Sequence, residues 1–261
     1  MILNYEIQQN GNSAHAPIVF IHGLFGSLSN LGMLARAFID THTVVQLDVR
    51  NHGKSAHASE MNYSLMAQDV IETLDHLGLQ QASLVGHSMG GKIAMRTASL
   101  VPERIAHLAV LDIAPYAYQQ NHHDQIFKAL FAVAEANVQS RQQAVDIIKQ
   151  YLSEEMVIQF LLKSFAKGQW LFNVPALYEH YSEILGWTAQ PAWEKPALFL
   201  RGTASPYVSK PEHYEAIQQQ FPQAEICGVE GAGHWLHAEQ PAAVLQQLQL
   251  YLSPGSSTAL F

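Results

Sequence analysis

Two patterns of apolar residues alternate along this chain. Residues 2 to 7 switch between apolar and polar with a period of two, which predicts an edge strand. Asn10-Gly11-Asn12-Ser13 is a turn cluster. Ile18-Val19-Phe20-Ile21 is apolar throughout, as a parallel strand buried on both faces must be. Leu31, Leu34, Ala35 and Phe38 then recur at helical spacing. Residues 43 to 47 are β-rich, and 64 to 77 predict a helix with Leu65, Val70, Leu74 and Leu77 on its apolar face. Ala82-Ser83-Leu84-Val85 predicts a strand, and Lys92-Ile93-Ala94-Met95-Arg96 the helix after it. His107 to Leu111 predicts a strand ending at Asp112. This alternation predicts an α/β fold, a mostly parallel sheet flanked by helices.

From Pro115 to about Pro191 the texture changes. Three helical patterns follow: Ile126, Leu130, Val133, Ala134; then Val145, Ile148, Tyr151, Leu152; then Val157, Phe160, Leu161, Ser164, Phe165. The second opens with the capping box Ser140-x-x-Gln143. The block reads as a helical cap inserted after the sixth strand. Strands resume at Ala197 to Leu200 and Ala224 to Val229, with helices from Pro211 and from Gln240-Pro241. The expected organisation is a core of residues 1–114 and 191–253, a cap of 115–190, and a disordered tail of 254–261.

Length and charge narrow the classes. A chain of 261 residues, 48% hydrophobic and 14% charged, suits one α/β domain with an insert. A net charge of -8 argues against a nucleic-acid partner. The single cysteine, Cys227, excludes an intrachain disulfide. The first residues lack the pattern of a signal peptide, and no apolar run approaches the ~20 residues of a membrane span. A cytoplasmic protein without stable membrane association is the expectation. The 14 histidines read mostly as surface or loop residues.

Gly86-His87-Ser88-Met89-Gly90-Gly91 carries the chemistry. A serine between two glycines, after a strand and before a helix, is the setting of a nucleophile elbow. Its hydroxyl needs a base, and the base needs an acid. His234, in the small-residue loop Gly231-Ala232-Gly233-His234-Trp235, is the base candidate, with His237 three residues on. The two histidines as a metal pair lack a suitably spaced third ligand. An acid after the seventh strand would stand at position 205, but Ser205 is there, and no aspartate follows Asp146. Asp112, at the end of a strand beside the elbow strand, is the acid candidate, and Glu212 is the runner-up. Ser205 is placed to hydrogen-bond the histidine or the acid. The oxyanion needs N–H donors, expected from Met89 and from Leu24, with Phe25 as the alternative to Leu24. His22 reads as structural, and Asp48 and Arg50 as braces of nearby loops. Phe25, Tyr116, Trp187, Tyr207 and Trp235 are candidates to line an apolar substrate pocket.

These segments together resemble the α/β-hydrolase superfamily along nearly the whole chain. They are His22-Gly23-Leu24-Phe25-Gly26-Ser27, Asp48-Val49-Arg50-Asn51-His52-Gly53, the elbow with Lys92, Asp112-Ile113-Ala114-Pro115, Ser205-Pro206-Tyr207-Val208 and the His234 loop. Within the superfamily the chain is similar to the YbfF-type bacterial esterases and their eukaryotic abhydrolase relatives. The resemblance implies a carboxylesterase or acyl thioesterase acting on a small-molecule ester or thioester, acyl-CoA included, without metal or organic cofactor. It also implies the shifted acid. A lyase or C–C bond hydrolase is the alternative enzyme, and a non-catalytic ligand-binding homologue the alternative class. Haloalkane dehalogenase and epoxide hydrolase chemistry would need aspartate at position 88.

Overall fold

The computed structural model describes residues 1–11, 13–119 and 123–253; the tail expected over 254–261 lies outside the described residues. The chain begins with β1 (Tyr5–Gln8), β2 (Ile18–Ile21), α1 (Gly32–Arg36) and β3 (Val44–Leu47). It continues through α2 (Tyr63–His76), β4 (Ala82–His87), α3 (Met89–Leu100) and β5 (Ile105–Leu111). The helical segment follows, with α4 (Asp124–Glu135), α5 (Arg141–Ile148) and α6 (Glu155–Leu162). It also holds a hairpin of β6 (Phe165–Ala166) and β7 (Gln169–Trp170), then α7 (Val174–Glu179) and α8 (Tyr181–Leu185). The chain returns through β8 (Ala197–Gly202), α9 (Pro211–Gln220), β9 (Ala224–Val229), α10 (Leu236–Glu239) and α11 (Pro241–Leu252).

The main sheet has seven strands in the order β1-β3-β2-β4-β5-β8-β9. Only β1 is antiparallel to its neighbour. Asp112 therefore follows the fifth strand of the chain, not the sixth, and β8 is the sixth strand of this sheet, not the seventh. A single strand, β1, precedes β2 among the described residues.

The continuous apolar runs have the expected cause. Val19, Ile21, Leu84, Val110 and Phe199 pack on one face with α2, α3 and α9. Their sequence neighbours Ile18, Phe20, Val85, Ala109 and Leu200 pack on the other with α1 and α11. Successive side chains point to opposite faces, so a strand covered on both sides must be apolar at every position. This double burial fixes the carboxyl ends of β4, β5 and β8 side by side, with His87 beside Leu111 and Leu111 beside Leu200.

Among the described residues, the segment between β5 and β8 contributes no strand to the main sheet. It has its own small core, in which Ala129, Val133, Ile148, Ile158 and Leu162 meet. The Ser140–Gln143 capping box opens α5 as expected. The helix stops at Ile148, so Tyr151 and Leu152 lie beyond it. The β6–β7 hairpin was not expected. It turns on Lys167 and Gly168, both at positive φ (51° and 79°), the backbone that a two-residue hairpin turn requires.

Candidate active site

β4 delivers Ser88 through a tight turn. Ser88 has φ 54° and ψ -120°, and α3 starts at the next residue. The turn leaves no room for side chains on the flanking glycines. A Cβ at Gly86 would run into the carbonyl of Gly90, and one at Gly90 into the carbonyl oxygens of Ile21 and His22. These are backbone atoms of packed strand and helix, so the clash has no easy relief. Gly90→Ala is expected to cost about 3 kcal/mol or more. That is a drop of roughly 6–12 °C in Tm for a chain this long, read by thermal unfolding.

His234 reaches this serine from the loop after β9. Its Nε2 lies 2.9 Å from Ser88 Oγ, and its Nδ1 lies 2.7 Å from Asp112 Oδ2. An ionised carboxylate only accepts, so Nδ1 carries the proton and Nε2 faces the hydroxyl as acceptor. Both ring nitrogens are thus engaged, which removes His234 from a metal pair with His237. The ring stacks on Tyr207 with centroids 4.0 Å apart, and the His234 carbonyl accepts a bond of 2.8 Å from His87 Nε2.

Asp112 is fully buried, with φ 52°. Its Oδ1 accepts the Gly202 amide at 2.8 Å, and its Oδ2 accepts the Ser205 hydroxyl as well as His234. The Asp112 amide donates to the Leu200 carbonyl at 2.7 Å. The carboxylate is thereby fixed by β8 and the loop after it. Ser205 binds the acid, not the histidine. Glu212 sits in the first turn of α9 and is not hydrogen-bonded to His234.

The turn after β2 supplies the facing wall. His22 Nε2 accepts the Val49 amide at 3.0 Å, so its Nδ1 carries the proton and donates to Gly23 O at 2.7 Å. Phe25, at φ 62°, donates its amide to His52 Nε2 at 3.1 Å, and His52 Nδ1 donates to Arg50 O at 2.9 Å. The Phe25 amide is therefore occupied. The amides of Leu24 and Met89 donate to no protein acceptor among the described residues. Asp48 and Arg50 brace the loops as expected. Asp48 accepts from the Leu28 and Lys54 amides (2.8 and 2.9 Å), and Arg50 pairs with Asp69 (2.6 Å).

An apolar cleft opens over Ser88, lined by Leu24, Phe25, Val157, Phe160, Tyr207 and Trp235 among others. Tyr116 and Trp187, two of the expected lining residues, do not reach it. Tyr116 packs against Tyr118 and His213, while Trp187 lies against Tyr63 and bonds Gln220 at 3.0 Å. Both sit behind the cleft wall, because the chain crosses into and out of the helical segment there.

Of the described histidines, His22, His42, His52, His87, His213 and His237 are buried and the other seven are not, in line with mostly surface or loop positions. Burial pushes His52 down to about 3, with His22 nearby adding to the effect. It pushes His237 down to about 4, and His22 and His87 also fall below the usual range. The unfolded chain, with histidines near 6.5, binds more protons than the folded one below that pH. Their contribution is complete above about pH 6.5 and is lost as pH falls toward about 3. The midpoint of urea unfolding is therefore expected to fall steadily as pH is lowered from 6.5 to 4.5.

Comparison with known proteins agrees with this fold. The family described as "alpha/beta hydrolase fold" matches residues 16–241. Esterase YbfF of Escherichia coli is 50% identical over 254 residues, 97% of this chain and 100% of that protein. The sn-1-specific diacylglycerol lipase ABHD11 of Danio rerio is 35% identical over 97% of this chain and 83% of its own. A solved marine microorganism esterase superposes with a TM-score of 0.89 at 32% identity, covering 96% of this chain and 99% of that one.

Proposed function

We propose, for a chain that belongs to the α/β-hydrolase family, that Ser88, His234 and Asp112 cleave carboxylic esters or acyl thioesters through an acyl-enzyme on Ser88. That the protein is an esterase/lipase-type serine hydrolase follows from its relatives. One observation carries the finer reading: the His234 ring lies between the Ser88 hydroxyl and the Asp112 carboxylate.

Ser88 Oγ attacks the carbonyl carbon while His234 Nε2 takes its proton. Asp112 holds the proton on Nδ1 and stabilises the imidazolium that forms. The tetrahedral oxyanion is met by the Leu24 and Met89 amides, at the start of α3, where the helix end adds positive potential. His234 then returns its proton to the leaving oxygen or sulfur. Water, deprotonated by the same imidazole, releases the acid and frees Ser88. The helical segment acts as a cap, and the cleft beneath it takes the apolar part of the substrate. Acyl-CoA is the thioester considered first. The lipase named above makes a glycerolipid ester the second arm.

A fluorophosphonate should add once to the intact protein, on Ser88, as read by mass spectrometry. Graded p-nitrophenyl esters, acyl-CoAs and a diacylglycerol then define the substrate. Ester turnover with inert acyl-CoAs would remove the thioester half. Saturable binding with no turnover of any of them would replace the enzyme with a ligand-binding homologue.

A further inference from the structure

We propose that Lys92 is a positioning residue for the esterase reaction, pinning both chain crossings of the helical segment to the helix that bears the nucleophile. The inference rests on the serine-esterase reading above.

Lys92 stands one turn after Ser88 in α3 and is 1% exposed. Its Nζ donates three bonds of 2.9 Å, to the carbonyls of Tyr116, Leu185 and Gly186. Tyr116 is where the chain leaves β5 for the helical segment, and Leu185 and Gly186 are where it comes back. One ammonium thus holds the outgoing and the returning strand of chain. The two crossings are also joined directly, since the Tyr118 amide donates to Leu185 O at 3.0 Å. Tyr118, Ile184 and Leu185 line the cleft, so the clamp fixes part of the substrate-facing wall.

Packing alone does not call for this residue. A buried ammonium is costly, and an apolar side chain of similar length would fill the space without that cost. No carboxylate pairs with Lys92 among the described residues. The titratable groups facing it are the phenols of Tyr63 and Tyr118, whose rings lie 5.6 and 4.9 Å from Nζ. Burial keeps both phenols neutral. Three carbonyls match the three N–H bonds of an ammonium, whereas a neutral amine has two. Burial pushes the Lys92 pKa down to about 7, so the clamp loses a bond as pH rises through that value.

The test compares wild type with Lys92→Met between pH 6 and 9. Thermal unfolding and fluorophosphonate labelling of Ser88 report fold and triad. In the folded variant, KM for p-nitrophenyl butyrate is expected to rise about fivefold or more, with kcat changed less than about threefold. Wild-type KM should rise from pH 7 to 9, and the variant should lack that limb. Hydrogen exchange at residues 116–118 and 184–187 should speed up in the variant, and in wild type at high pH beyond the intrinsic rate. If Lys92→Met does not fold, the wild-type pH series decides. Flat KM and unchanged exchange in those segments would overturn the clamp. A wild type without the Ser88 adduct would sink the esterase reading instead, and exchange would still test the clamp.

Discussion

Ser88→Ala, His234→Ala and the double variant are each expected to lower kcat about a million-fold, and by nearly the same factor. In the proposed mechanism the two groups act as one device. Without the hydroxyl there is nothing for the imidazole to deprotonate. Without the imidazole the hydroxyl is a poor nucleophile, because no other base among the described residues is hydrogen-bonded to it. Independent contributions would multiply, whereas a shared proton transfer is lost once. The remaining rate should still exceed that in water by roughly a thousand-fold or more, because substrate binding and the Leu24 and Met89 amides survive the substitutions. KM should change little, since the apolar residues that line most of the cleft stay in place. Single-turnover kinetics with a p-nitrophenyl ester would measure all three variants. A double variant far slower than either single one would show that Ser88 and His234 act separately.

The elbow was legible because its constraint is local. Gly86 and Gly90 are dictated by backbone carbonyls a few ångströms away, and an apolar run on one side and a helical run on the other complete the pattern. Asp112 was favoured as the acid because position 205 is serine, no later residue is aspartate, and its strand lies beside the elbow strand, with Glu212 left as the runner-up. What Ser205 touches was not, because a hydroxyl after the strand that lies between those leading to the two polar groups suits either. The structure gives it to the carboxylate. The Lys92 clamp was missed for a different reason. Its partners are backbone carbonyls, which every residue carries, so no side-chain pattern points to them. The same holds for His52, which accepts the Phe25 amide and so leaves Leu24 as the available donor. The β6–β7 hairpin has strands of two residues, too short to show a period. Apolar character marked Tyr116 and Trp187 as wall residues, but it reports burial and not which side of the wall they occupy.

Asp112→Asn is expected to lower kcat about ten-thousand-fold with little change in stability or KM. The cause is the proton on the histidine. Asp112 accepts three hydrogen bonds: Gly202 N–H on Oδ1, and the Ser205 hydroxyl and His234 Nδ1–H on Oδ2. An asparagine has one oxygen and one NH2 group. If its oxygen faces Gly202, its NH2 faces His234 Nδ1 and donates to it. The ring proton then moves to Nε2, where it points at Ser88 and blocks deprotonation. If the amide turns over, its NH2 meets the Gly202 N–H, leaving two donors opposed in a fully buried place. The first arrangement keeps every backbone donor satisfied, so it is the one expected to form. Ser205→Ala removes a single donor from the same carboxylate and leaves the tautomer intact. Its expected loss is about ten- to hundredfold, the worth of one hydrogen bond to a charged group. The two variants therefore separate the acid from its support. The difference should also show in pH: the Asp112→Asn enzyme should recover part of its rate at high pH, where hydroxide replaces the missing base, and Ser205→Ala should not. A Ser205→Ala variant that is dead beside an active Asp112→Asn variant would move the essential role from the carboxylate to the hydroxyl.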